Sequence, residues 1–215
     1  MASGTIVRAA FEEAIRSNVV VEAILERARQ LGLPKWYLGA GCLAQTVWNR
    51  AHDYYPTDHI KDYDIVYFDP ADVTAEGQEY YAQKARMLFG DLPAEVDVCN
   101  EARVHLWYEQ EMGRAIQPYA SAEAAIDTWP TTASAVGVRQ EGGRLRVYAP
   151  YGLDDLMSLV VRPNKRLVSR EVYEEKSARW QAHWPRLTVI NWDDVAAGEA
   201  TSRSSYSGQA AVRAG

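Results

Sequence analysis

The sequence predicts an α/β (α+β) fold, a small mixed sheet flanked by helices, with a mostly helical C-terminal part. Three observations lead there. Stretches of helical period alternate with short runs rich in Tyr, Ile, Val and Phe that suit strands. The chain has 215 residues, 47% of them apolar, enough to bury a substantial core. The run Asp62-Tyr63-Asp64-Ile65-Val66-Tyr67-Phe68 has the composition of a buried strand yet begins with two acids.

Residues 5–31 read as helix, broken near Ser17-Asn18, with Ile15, Val19, Val20, Ile24, Leu25 and Ala28 at helical spacing. Gly32 and Pro34 supply a stop. Residues 35–38 are a short strand that ends in Gly39-Ala40-Gly41, and helix resumes over 42–50. A polar loop, 52–61, delivers the chain to the aspartate strand, which Asp69-Pro70 closes. A surface helix over 76–89 precedes a strand at 95–99. Asn100 is a good cap for a helix over 101–112, and a short helix over 121–128 ends at Trp129-Pro130. Residues 134–139 and 145–149 form a hairpin around Glu141-Gly142-Gly143. The next helix carries Leu153, Leu156, Met157 and Val160 and stops at Pro163-Asn164. The last long helix spans 169–182 and ends at Trp184-Pro185, and 187–192 is either a final strand or an extended segment.

These elements suggest one domain over 1–195, with a core at about 18–112 and a C-terminal part at about 113–195. Residues 196–215 are rich in Ala, Gly, Ser and Thr and are expected to be a disordered tail. No apolar run reaches the length of a membrane span and no signal peptide is visible, so a cytoplasmic protein is expected. Two cysteines, Cys42 and Cys99, exclude a disulfide framework. A formal charge of −6 argues against a broad nucleic-acid footprint.

On a strand, Asp62 and Asp64 share a face with Cα atoms about 6.5 Å apart. At that range two carboxylates repel by about 0.6 kcal/mol in water and about 2.5 kcal/mol at an effective dielectric of 20. A divalent cation would offset the repulsion, and Mg²⁺ favours carboxylate oxygens together with substrate phosphates. Hydration of both acids at a solvent-exposed strand start is the alternative. Asp97, on the later strand, is a third acid. A glycine turn opening a helix, paired aspartates and a third strand acid together suit metal-assisted attack on a nucleoside triphosphate.

The segments WYLGAGCLAQTVWN (36–49), DYDIVYFD (62–69), NEARVHLWY (100–108) and APYGLDDL (149–156) resemble the polymerase-β-like nucleotidyltransferase superfamily, and more closely a bacterial family of nucleotidyltransferase-like proteins. The Trp-Pro pairs at 129–130 and 184–185 also fit, and the similarity runs from about 18 to 193. The resemblance implies a nucleotidyltransferase-type sheet and transfer of an NMP group from an NTP, with release of pyrophosphate. It implies Gly39 and Gly41 at the phosphates, Asp62 and Asp64 on Mg²⁺ (or Mn²⁺), and Asp97 as the third acid, all three being catalytic and metal-ligand candidates. Cys42, where the superfamily often carries Ser, opens the helix beside the phosphates without a hydroxyl, and Arg103 is a further nucleotide-binding candidate. The acceptor is open: a small molecule, a protein or RNA. A nucleotide-sensing module without catalysis and a toxin-like transferase acting on tRNA are the other readings. The basic stretch Arg162, Lys165, Arg166 and Arg170 is either a solvated face or a cradle for phosphate.

Overall fold

The computed structural model describes residues 2–195. Helices α1 (Ala2–Arg16) and α2 (Val19–Arg27) meet at the expected break. There the buried Asn18 accepts from the amides of Val20 and Val21, while its Nδ2 donates to Thr46 Oγ1 at 2.8 Å and Tyr63 Oη at 3.2 Å. One side chain thus caps a helix and ties it to two segments farther along the chain, at Thr46 and Tyr63. A 3-10 turn, Ala28–Leu31, ends at Gly32 with φ 75°.

Strand β1 is Tyr37–Gly39, later than the sequence suggests, because Lys35 has φ 44° and leaves extended geometry. Then come α3 (Gly41–Ala51), β2 (Asp62–Tyr67), α4 (Ala75–Phe89) and β3 (Glu95–Asn100). Asn100 caps as expected, accepting from the amides of Ala102 and Asp69 and donating to the carbonyls of Asp69 and Asp72. The helix expected over 101–112 divides at Trp107 into a 3-10 stretch, Glu101–Leu106, and α5 (Tyr108–Met112).

Helix α6 (Ala122–Ile126) leads to a hairpin, β4 (Gly137–Glu141) and β5 (Arg144–Tyr148). The helix expected to reach Val160 is only α7 (Asp154–Met157). Leu159 has φ 59°, which stops it, and β6 (Val160–Val161) pairs in parallel with β7 (Thr188–Val189). Between them lies α8 (Arg170–His183), and a 3-10 turn at Trp192–Asp194 follows β7. The proposed tail, 196–215, lies outside the described residues. No helix among the described residues is long and apolar enough to cross a membrane.

The main sheet has the order β3-β2-β1-β4-β5, parallel between β2 and β3 and antiparallel elsewhere. It is the mixed sheet flanked by helices that the sequence predicts. The C-terminal part supplies its long helix and also returns the hairpin that completes the sheet. Alternation along β2 separates two environments. Tyr63, Ile65 and Tyr67 enter the large core with α1, α2, α3 and α4, whereas Val66 and Phe68 join a smaller cluster with Tyr37, Ala122 and Ile126. Asp62 and Asp64 share the face of Val66, at the end that the smaller cluster leaves uncovered.

Candidate active site

Register places the acids. β2 is an inner strand, and Asp62 lies opposite Glu95 while Asp64 lies opposite Asp97 on β3 and Gly39 on β1. Asp64 is largely buried, and its pKa is pushed from 3.8 to about 7 by burial, then by the charges of Asp62 and Asp97, with Lys176 opposing. Asp97 is raised by burial, Glu95 and Asp62, although it sits exposed on the edge strand. The expected three acids therefore share one face and repel one another.

The glycine turn closes on this face. Ala40 has φ 61° and ψ −135°, a conformation that L residues seldom adopt, and its amide donates to the Val136 carbonyl. Gly39 is required by packing: a Cβ there would lie 2.6 Å from the Trp129 ring and 2.8 Å from the Val136 carbonyl oxygen. Cys42 is fully buried and its Sγ donates to the Gly39 carbonyl at 3.1 Å, so it braces the turn from behind. Of the residues the sequence assigns to phosphate, Gly41 is the one that lines the cleft. No side chain caps α3, leaving its first amides open toward the acids.

Across from the acids stands α8. A cavity of about 260 Å³ is bounded by Ala40, Gly41, Asp62 and Asp64 on one side and Lys176, Arg179 and Trp180 on the other. It continues past Asp62 into a polar recess of about 360 Å³ that adds His59, Lys61 and His183. Among the described residues neither Lys176 nor Arg179 makes an ion pair. Lys176 has its pKa lowered, by burial and then by Arg179, so these cations crowd one another as the acids do. Gln45 Oε1 and Trp180 Nε1, both at this cavity, are buried without a hydrogen-bond partner. Such groups are costly unless a ligand or water meets them.

Sequence reasoning missed this wall. Lys176, Arg179 and Trp180 do fall at helical spacing, and Gln45 lies one turn after Gly41, which is the signal that could have found them. The basic stretch that leads into α8 forms its own ion pairs instead. Arg162 pairs with Asp155 at 2.9 Å, Arg166 with Asp127 at 3.3 Å, and Arg170 with Glu174 at 2.8 Å. Lys165 donates to the Val195 carbonyl and lies over the Trp192 ring. Arg103 turns away: its Nε donates to the Val73 carbonyl at 3.4 Å, and it lines none of these cavities.

Among the described residues no group of three or more His, Cys, Asp and Glu side chains is drawn together closely enough to hold a metal ion. A smaller donor set suffices for Mg²⁺, which keeps several waters and takes one or two carboxylates plus substrate phosphates. Asp62 and Asp64 supply hard oxygen donors, and the elevated pKa of Asp64 marks a place where positive charge is wanted. The residues fit such an ion.

None of the proteins of curated function matches the chain. A solved structure described as an NMR structure revealing a CCA-adding enzyme head domain is 29% identical, with a TM-score of 0.68 over 84% of this chain and 94% of that one. The sheet and flanking helices are thus those of a polymerase-β-like nucleotidyltransferase fold. A family model described as nucleotidyltransferase matches residues 26–189, which hold the glycine turn, all three acids and the cationic face of α8, and the chain belongs to that nucleotidyltransferase family.

Proposed function

We propose that the chain moves an NMP group from an NTP to an acceptor hydroxyl or phosphate, releasing pyrophosphate. One observation carries this reading: the pair of acids, of which Asp64 is the more buried, faces cations without ion pairs across a cavity that begins at an uncapped helix N-terminus. The α3 amides and the Lys176 and Arg179 side chains receive the negative triphosphate. Asp62 and Asp64 hold Mg²⁺ or Mn²⁺, which supplies charge neutralisation on the phosphates when bound. Asp97, beside Asp64 in register, is the third acid and takes the proton of the attacking hydroxyl. Gly39 and Cys42 shape the turn, and Gly41 leaves room for the phosphates.

Asp64→Asn should abolish metal-dependent pyrophosphate release while leaving the far-UV circular dichroism unchanged. Because Asn neutralises a strained carboxylate, the variant should not be less stable. Release at the wild-type rate would remove Asp64 from the chemistry. One observation favours a second reading, a module that binds NTP without transfer: Asp97 is exposed on the edge strand and lies outside the cavities. Saturable NTP binding without pyrophosphate, across a broad acceptor panel, would select it.

A further inference from the structure

Past Asp97 and Cys99 on β3, the acid-bearing face runs into another cavity, of about 370 Å³. Its walls are mainly carbon, from Trp107, Tyr119, Trp129 and Val172. Its charged lining is one acid, Glu101, and two cations: Arg114, which is exposed and donates to the Arg166 carbonyl, and Lys176, which also lines the cavity beside the glycine turn. Glu101 lines this cavity with 6% of its surface exposed, and among the described residues its carboxyl has no hydrogen-bond or ion-pair partner. Burial without a partner disfavours a carboxylate unless a bound group meets it.

This cavity shares Trp129, Pro130 and Lys176 with the one beside the glycine turn, so the two are arms of one cleft. They differ in position and chemistry. The first arm lies on the β1 and β2 side, with the open amides and Arg179; the second lies on the β3 side, mainly apolar, with Glu101 as its one acid and Arg114 and Lys176 as its cations. In-line displacement at phosphorus sets the entering and departing oxygens on opposite sides. With pyrophosphate departing along the first arm, the entering hydroxyl comes over β3, from the second.

We infer that the Glu101 cavity is the acceptor site, and that it takes a small molecule with a ring-sized apolar body, a hydroxyl, and an amine that pairs with Glu101. Placing this site as the acceptor's rests on the reaction proposed above; the ligand chemistry rests on the cavity alone. The hydroxyl oxygen bonds to the α-phosphorus as the bond from that phosphorus to the bridging oxygen breaks. Pyrophosphate leaves with the bonding pair, and the hydroxyl proton passes to the Asp97 carboxylate. Aromatic walls around a cationic nitrogen add attraction to the charge pairing.

The test is titration of the full chain with tyramine, without nucleotide, followed by tryptophan fluorescence. Saturation at millimolar concentration is expected, with binding weaker by at least about tenfold in Glu101→Gln and for 4-ethylphenol, which lacks the amine. Val172→Trp, which fills the cavity and leaves Glu101 in place, should also abolish binding; circular dichroism verifies the fold of both variants. Equal binding to wild type and Glu101→Gln, or no binding to wild type, would overturn the proposal. Displacement of tyramine by guanosine would do so too, by giving the cavity to the nucleotide's base. Since no nucleotide is present, failure here leaves pyrophosphate release by the wild type to be judged separately.

Discussion

Replacing Glu101 by Gln separates burial from chemistry, because it can be read without any substrate. Burial, and then the charge of Asp64, pushes the Glu101 carboxyl from 4.5 to about 8. The native chain therefore keeps a proton that the unfolded chain releases near its ordinary value. This group's contribution to stability is complete below about pH 4.5 and is lost as the pH rises toward 8. The loss runs at about 1.4 kcal/mol per pH unit, so by pH 7 it reaches roughly 3 kcal/mol. Gln has nearly the same shape and no proton to lose. The two proteins should thus be similarly stable near pH 4.5, and Glu101→Gln should be the more stable by roughly 3 kcal/mol at pH 7. Urea titrations at several pH values, followed by tryptophan fluorescence, measure the difference. With a slope of about 2 to 3 kcal/mol/M for a chain of this size, the midpoints should separate by about 1 M at neutral pH. Parallel pH profiles for the two proteins would refute the burial argument, since the groups they share, Asp64 among them, affect both.

Other perturbations test other parts of the framework. Asn18→Ala removes the α2 cap and leaves Thr46 and Tyr63 short of a buried partner, so a loss of about 2 to 4 kcal/mol in chemical unfolding is expected. Ala40→Gly relieves the positive φ at the turn and should stabilise by about 1 kcal/mol, net of the greater freedom of Gly when unfolded, as differential scanning calorimetry would show. Arg179→Ala should weaken NTP binding by about tenfold in calorimetry with little change in thermal midpoint, because the side chain has no ion pair to lose.

Much of the framework was legible because local rules and tertiary packing agree in it. The aspartate strand, the broken first helix and the Asn100 cap each follow from residues within a few positions of one another. The face of α8 was not legible in the same way. Tyr173, Trp180 and Ser177 are buried, while Lys176 and Arg179 between them face the cleft, and only the position of the helix across the sheet distinguishes these cations from those at 162–170. Glu101 was hidden by its place at the start of a helix, where an acid is ordinary. Arg103 read as a nucleotide ligand because a cation in the first turn of a helix opposes the dipole and calls for an anionic partner, yet the 3-10 geometry of 101–106 turns it toward Val73. Val160 reads as the next apolar turn of a helix until the left-handed backbone at Leu159 ends that helix.

β2 has neighbours on both edges, and its two sides carry opposite contents: tyrosines and isoleucine on one, a pair of anions on the other. Sliding that ribbon by one position would drive the anions into oil and turn the phenols toward water. No half-assembled version of this centre is therefore sustainable, and a preparation should behave as a mixture of competent and inert molecules. Turnover per milligram would then count properly threaded chains, which makes it a gauge of folding quality as well as of chemistry.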